Sequence, residues 1–371
     1  MSVADLALQR SKYKHLSDEE WRWFLQQMEG KERTADKLPT FASIPDWWYP
    51  VRLSCEQCSS ELAARYKASL ISIDRLSRAN FKFQVSNFAD LTGGYGVDTY
   101  FISEGFVHTD YVEQNAELCR IATHNFANKP ITIHNSTAEE FLASASEYDL
   151  IFIDPARRDS HGGKVFRLED CTPNVVELLP TLLAHGKRLM IKLSPMLDLT
   201  QAVTSLSQVC WDIFVVAIKN EVKEVLLLSG GSGQITAIDL TQKDQAFVFT
   251  RDQETNCPLA INHSPFAFIY EPNAAILKAG AYKLVAQRFG LLKLDVNTHL
   301  YASDTLVPNF PGRVWKIIEK QDLKQANVLT RNYPLSPEAL KKKLHLRDGG
   351  TAYVIGCRVN GKPTLFFAER V

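Results

Sequence analysis

Two rhythms of apolar and polar residues divide the chain. Up to about residue 84 the apolar positions recur at helical spacing. Asp18–Met28 (DEEWRWFLQQM) sets Trp21, Phe24, Leu25 and Met28 on one face, with acidic residues in the first turn, where the helix dipole favours them. Leu38–Pro50 (LPTFASIPDWWYP) interrupts this rhythm, because its prolines forbid a regular helix; its tryptophans and tyrosine read as packing groups. Ser59 or Ser60 can cap a second helix, ELAARYKASLI. From about residue 86, short apolar runs alternate with amphipathic stretches, the pattern of a parallel sheet whose strands are joined by helices. The runs predict strands at Asn87–Leu91, Gly105–Asp110, Ile131–His134, Leu150–Asp154 and Arg188–Leu193, with helices at Asn115–Phe126 and Pro173–Ala184. Residues 213–218 (IFVVAI) and 224–229 (EVLLLS) are separated by KNEVK alone, too short for a parallel crossover, so they predict an antiparallel pair. A nicotinamide-binding sheet has no reason to end on such a hairpin. Gly230-Gly-Ser-Gly233 reads as a turn or linker, since no helix with Lys-Ser/Thr follows it. Two strand-like runs (ITAIDL, AFVFT), a helix over about Asn273–Phe289 and a C-terminal α+β segment complete the chain, with no internal repeat.

Composition adds bounds. The 371 residues are 45% hydrophobic and 23% charged, which excludes a disordered or fibrous chain and implies two or three domains. Net charge is zero, but unevenly spread: Glu271–Val371 holds 16 Lys+Arg against 8 Asp+Glu, leaving the first 270 residues at −8. A basic module beside an acidic one fits a grip on a polyanion, and equally a solvated surface. Seven scattered cysteines, no signal-peptide core and no apolar run of membrane-spanning length predict reduced thiols in a cytoplasm. Cys55-x-x-Cys58 has neither a second pair nor a histidine partner, so no metal is expected.

Three segments carry candidate chemistry. Asp90-Leu-Thr-Gly-Gly-Tyr-Gly96 ends a predicted strand and opens a helix, and its glycines let the backbone approach a ligand closely. Glu113 follows the next strand, where a carboxylate can take both hydroxyls of a ribose; the alternative is a first-turn residue favoured by the helix dipole. Asp154-Pro155-Ala-Arg157-Arg158 lies at the carboxyl end of a central strand, the edge where open α/β sheets bind ligands. Its arginines can hold phosphate or form surface ion pairs.

Together these elements resemble the class I S-adenosylmethionine-dependent methyltransferases over roughly residues 55–230. The resemblance implies an α/β, Rossmann-like, seven-stranded sheet of five parallel strands plus an antiparallel terminal hairpin. It also implies Asp90, Thr92, Gly94, Gly96, Glu113 and Asp154 as cofactor residues, with Gln57, Ser59 and Ser60 at the methionine end. Where many members carry an Asp for the adenine amine, this chain has Ser136-Thr137-Ala138, leaving Thr137 as the substitute. Asp154, Pro155, Arg157 and Lys192 are the implied catalytic set, flanked by Asp198.

More narrowly, EQCSSELAARYK, DLTGGYGVD, DPARR, KLSPMLD and YEPNAAILKAG resemble a bacterial methyltransferase family with a ferredoxin-like segment and a THUMP-like C-terminal domain. Expected divisions are a helical region 1–84, a methyltransferase domain 85–232, a connecting and ferredoxin-like segment 233–302, and a THUMP-like domain 303–371. The resemblance implies RNA as partner, a tRNA or rRNA base, with Arg157, Arg158, Lys341, Lys342, Lys343 and Arg347 as contacts. Met190-Ile-Lys-Leu-Ser194-Pro195 lacks the cysteine nucleophile of C5-uridine enzymes, so transfer is expected to be direct. The alternatives are a small-molecule or protein methyltransferase, and an inactive protein that binds the cofactor and RNA.

Overall fold

The computed structural model describes residues 3–71, 87–157, 167–242, 246–320 and 322–371. They form two compact units, Met1–Trp211 with Leu226–Gly230, and Asp212–Val225 with Gly231–Val371.

In the first unit, β1 (Asn87–Asp90), β2 (His108–Val112), β3 (Ile131–His134) and β4 (Leu150–Ile153) are followed by a two-residue antiparallel pair, β5 (Ala156–Arg157) and β6 (Cys171–Thr172), and then by β7 (Leu189–Leu193). β1 pairs in parallel with both β2 and β4, β2 with β3, and β4 with β7, giving the order β7-β4-β1-β2-β3. The chain runs outward from β1 to β3 and then returns to β4. The gap between the ends of β1 and β4 is therefore a topological switch point, where such sheets open a ligand crevice. β2 starts three residues later than its apolar run predicts, because Ser103–Gly105 closes the preceding helix as a 3-10 turn.

The N-terminal region builds the floor behind this crevice. Asp18–Thr34 is a helix capped reciprocally by Ser17 and Glu20. Its predicted apolar face is partly realised: Trp21 is buried, whereas Met28 is exposed. Leu38–Pro50 does contain one helical turn, Pro39–Ser43, which its proline tolerates at the first helical position. Phe41, Trp47 and Tyr49 from this stretch pack with Tyr95, Phe101 and Phe126, and the Trp47 indole N–H donates to Tyr95 Oη at 2.9 Å.

β8 (Trp211–Ile218) and β9 (Glu221–Ser229) form the predicted hairpin. Lys219 and Asn220, both at positive φ, make the two-residue turn that suits twisted strands. The second half of β9 neighbours β7 in the first unit. In the second unit β8 does not end the sheet: β10 (Gln234–Asp239) adds in parallel to it, and β11 (Phe247–Thr250) antiparallel to β10. Among the described residues nine strands rather than seven take part. ITAIDL and AFVFT supply the additional pairing that covers the open backbone groups of β8. Gly230 and Gly233, both at positive φ, turn the chain between β9 and β10.

The rest of the second unit is a seven-stranded sheet, ordered β13-β14-β12-β15-β18-β17-β16. Its strands are β12 (Phe268–Pro272), β13 (Leu292–Lys293), β14 (Tyr301–Ser303), β15 (Gly312–Ile318), β16 (Asn327–Arg331), β17 (Ala352–Val359) and β18 (Lys362–Arg370). Ile269, Trp315, Ile355, Cys357 and Ala368 form its core. The helix predicted over 273–289 is two, Ala274–Ala279 and Tyr282–Phe289, because Gly280 adopts the left-handed conformation that ends a helix. Glu271 is buried beneath Arg313 and Arg331, both of which bind its carboxylate.

Candidate functional site

At the end of β1 the chain turns through the glycine loop into the helix Val97–Ile102. Each glycine has its own reason. A Cβ on Gly93 would meet the Tyr111 ring at 2.1 Å, and one on Gly96, at φ +79°, would meet Phe126 at 2.5 Å. Gly94, at φ +56°, has nothing nearer than Thr92 O at 3.8 Å, so its face stays open. The Tyr111 hydroxyl fixes the loop by donating to Gly94 O at 2.6 Å.

Asp90 accepts from Thr92 N–H at 3.1 Å and from the Thr99 hydroxyl at 2.5 Å. Burial pushes its carboxyl up to about 7, against the lowering effect of those two hydrogen bonds. Thr92 Oγ1 accepts from Asp154 N–H at 2.7 Å and so fastens the end of β4 to the loop after β1. Glu113, just past β2, accepts from Gly94 N–H at 2.9 Å and from Asn115 N–H at 2.8 Å.

A buried charge network underlies these groups. Lys67, fully buried on the helix Glu61–Ile71, lies 3.1 Å from Asp98 Oδ1 and donates to Ser59 Oγ at 3.2 Å. Ser59 donates to Asp98 Oδ2 at 2.7 Å, and Lys192 at the end of β7 lies 3.8 Å from the same oxygen. Burial raises the proton affinity of Asp98, but Lys67, Lys192 and Ser59 outweigh it and hold the carboxyl below the usual range. Lys192 also donates to Asp154 Oδ2 at 2.5 Å.

A cavity of about 440 Å³ opens over this arrangement, with Asp90, Thr92, Gly94, Gly96 and Glu113 along one side. Gln57, Ser59, Thr137, Asp154 and Lys192 also line it, so ten of the predicted residues meet in one place. Others do not reach it. Ser60 accepts from Ala63 N–H and caps its helix, as Asp198 caps Leu199–Ser205. Pro155 is buried outside the lining. Arg157 pairs through its backbone with Cys171, while its side chain and all of Arg158 lie outside the described residues. Thr137 does double service, lining the cavity and capping Ala138–Leu142 reciprocally with Glu140. Lys67, Asp98 and Thr172 were not anticipated; Asp98 and Thr172 line the cavity, and Thr172 Oγ1 is buried without a hydrogen-bond partner.

Four of the six predicted RNA contacts, Lys341, Lys342, Lys343 and Arg347, lie in the second unit. Lys341 pairs with Asp348 at 2.6 Å, and Lys342, Lys343 and Arg347 are exposed. Cys55 and Cys58 donate to the carbonyls of Pro50 and Cys55, and burial pushes the Cys55 thiol up to about 12. Among the described residues no three His, Cys, Asp or Glu side chains gather to hold a metal, and no helix is long and apolar enough to cross a membrane.

Comparison with known proteins adds three findings. Residues 268–311 match the model of a ferredoxin-like domain, and residues 308–370 that of a THUMP domain-like family. Two curated relatives from Mycobacterium tuberculosis strains, both described as uncharacterized S-adenosylmethionine-dependent methyltransferases, are 25% identical over 223 residues. That match covers 57% of this chain and 60% of theirs, so the chain spans under two thirds of their length. A crystal structure of a candidate methyltransferase from Porphyromonas gingivalis W83 is 31% identical, with a TM-score of 0.83 over 96% of this chain and 92% of that one.

Proposed function

Since the chain belongs to the bacterial class I S-adenosylmethionine-dependent methyltransferase family that carries a ferredoxin-like segment and a THUMP-like C-terminal domain, we propose that it transfers a methyl group from S-adenosylmethionine to a base of tRNA or rRNA. The observation that carries the reaction is the gathering of ten residues implied by the sequence resemblance around one cavity at the sheet's switch point. RNA is favoured by the THUMP domain-like match over 308–370 and by the basic excess of the last 101 residues.

The donor set suits this cofactor. Glu113 offers a carboxylate for ribose hydroxyls, the open face of Gly94 offers a cradle for backbone approach, and Gln57 with Ser59 offers polar groups for an amino-acid end. Thr137, on the same cavity lining, is the group this chain would offer to an adenine amine. S-adenosylmethionine supplies a methyl group already activated on a sulfonium.

The protein's task is then alignment and proton removal. Thr92, by holding the Asp154 backbone, sets the height of that carboxylate at the crevice rim. Asp154 takes the acceptor's proton, and Lys192 beside it balances the charge. With serine at 194, no thiolate is available on β7 or its exit for a covalent adduct.

The test is incubation of the purified full chain with methyl-labelled S-adenosylmethionine and, in parallel, with the RNA, protein and small-molecule fractions of a strain lacking the gene. Label in RNA that Asp154→Ala abolishes even at saturating S-adenosylmethionine is the expected result. Label confined to protein or small molecules would favour the rival acceptors, and cofactor binding with no transfer to any pool would mark an inactive binding protein.

A further inference from the structure

The charges at the ends of β4 and β7 bear on which atom receives the methyl group. Asp154 and Lys192 stand side by side on the cavity wall, 2.5 Å apart, one accepting and the other donating. Lys192 has a second carboxylate behind it, Asp98 at 3.8 Å, itself fixed by Lys67 and Ser59. Thr172, paired with Ala156 across the β5–β6 ladder, also lines the cavity, with its hydroxyl oxygen buried. The cavity therefore presents a carboxylate and an ammonium side by side.

Resting on the reading of this protein as an RNA base methyltransferase, we infer that the acceptor is a ring N–H adjacent to a carbonyl, a lactam or imide such as guanine N1 or uracil N3. Asp154 takes the N–H proton and Lys192 holds the carbonyl oxygen.

The sign of the charge that develops during transfer decides between acceptors. An exocyclic amine attacks through its own lone pair and becomes positive as the methyl arrives; an ammonium at hydrogen-bond distance from the base opposes that change. A lactam nitrogen has its lone pair delocalised, so it must surrender its proton as it attacks. Negative charge then spreads to the neighbouring carbonyl oxygen, where a fixed ammonium stabilises it. A ribose 2′-hydroxyl also becomes negative, but it is a single protic oxygen and would use one member of the pair only. The lactam edge, donor beside acceptor, matches the Asp154–Lys192 pair at both points.

The step balances as follows. The N–H electron pair stays on nitrogen while the proton moves to Asp154 Oδ2, and that pair forms the new N–CH3 bond. The S–CH3 bond breaks with its electrons going to sulfur, which becomes a neutral thioether, and Asp154 later returns its proton to solvent. As the base enters, Lys192 exchanges Asp154 for the carbonyl oxygen and keeps Asp98 behind it.

The experiment uses the full chain, deuteromethyl-labelled S-adenosylmethionine and the separate RNA, protein and small-molecule fractions of a strain lacking the gene, with the RNA digested to nucleosides and the methyl located by fragmentation mass spectrometry. The expected label is on a ring nitrogen beside a carbonyl. Lys192→Met is expected to lower kcat by about 10²-fold or more, Lys192→Arg to restore part of it, and calorimetric cofactor affinity to stay within a few-fold in both. Label on an exocyclic amine, a carbon or a 2′-oxygen overturns this inference and leaves the RNA reading standing, as does full activity in Lys192→Met. Label in protein or small-molecule fractions with none in RNA overturns the RNA reading and this inference with it.

Discussion

Asp90 is the residue whose charge the fold opposes most plainly. Its proton affinity stands well above the free value of 3.8, at about 7, so the folded chain keeps a proton there that the unfolded chain has lost. Its contribution to stability is full below about pH 4 and is lost as pH rises through about 7, a change on the order of 4 kcal/mol. Asp90→Asn, which keeps one acceptor oxygen and turns the other into an uncharged amide donor, is predicted to lose less stability than wild type between pH 5 and pH 8 in urea denaturation. Equal losses in the two proteins would contradict this account of Asp90. At this scale much of the site was legible, because the glycines, Glu113 and the Asp-Pro step carry local signals at strand ends. Lys67 and Asp98 close two of the motifs that carry the resemblance, yet nothing local marks them as a pair. A lysine in ARYKASL looks like a solvated helix position, and its partner lies 31 residues further along. Ser59 and Ser60 were interchangeable as caps in the sequence, and only the fold separates the one that caps from the one that binds Asp98.

The helices Glu61–Ile71 and Val97–Ile102 are pinned together by the Lys67–Asp98 pair. Removing one member strands a charge in the interior, which costs about 3–5 kcal/mol, whereas removing both leaves none. Lys67→Met and Asp98→Asn are each predicted to destabilise by that amount in denaturant titration, and the double variant by much less than their sum; additive losses would show that the two side chains do not act as a unit. The core strands were legible at this scale as well, since buried parallel strands read as continuous apolar runs. What the pattern does not encode is where a strand docks. ITAIDL and AFVFT read as strands, yet only pairing across the sheet reveals that they extend it beyond the hairpin. The division of 274–289 into two helices was written in Gly280, whose left-handed backbone outweighs the apolar periodicity on either side.

For the whole molecule, a neutral total hides an excess of +8 in the last 101 residues. If Lys342, Lys343 and Arg347 meet phosphates, replacing all three by alanine should weaken RNA binding across sequences and reduce the slope of log affinity against log salt by about 2–3. An unchanged slope in filter-binding titrations would move the RNA surface elsewhere on the chain. Calorimetric titration of the full chain with S-adenosylmethionine, wild type beside Glu113→Ala, is the most direct test of the cavity as the cofactor site. Saturable micromolar binding that Glu113→Ala weakens by about 1–3 kcal/mol is predicted, the scale of hydrogen bonds to a charged group. No binding to wild type, or the same affinity in both proteins, would contradict it.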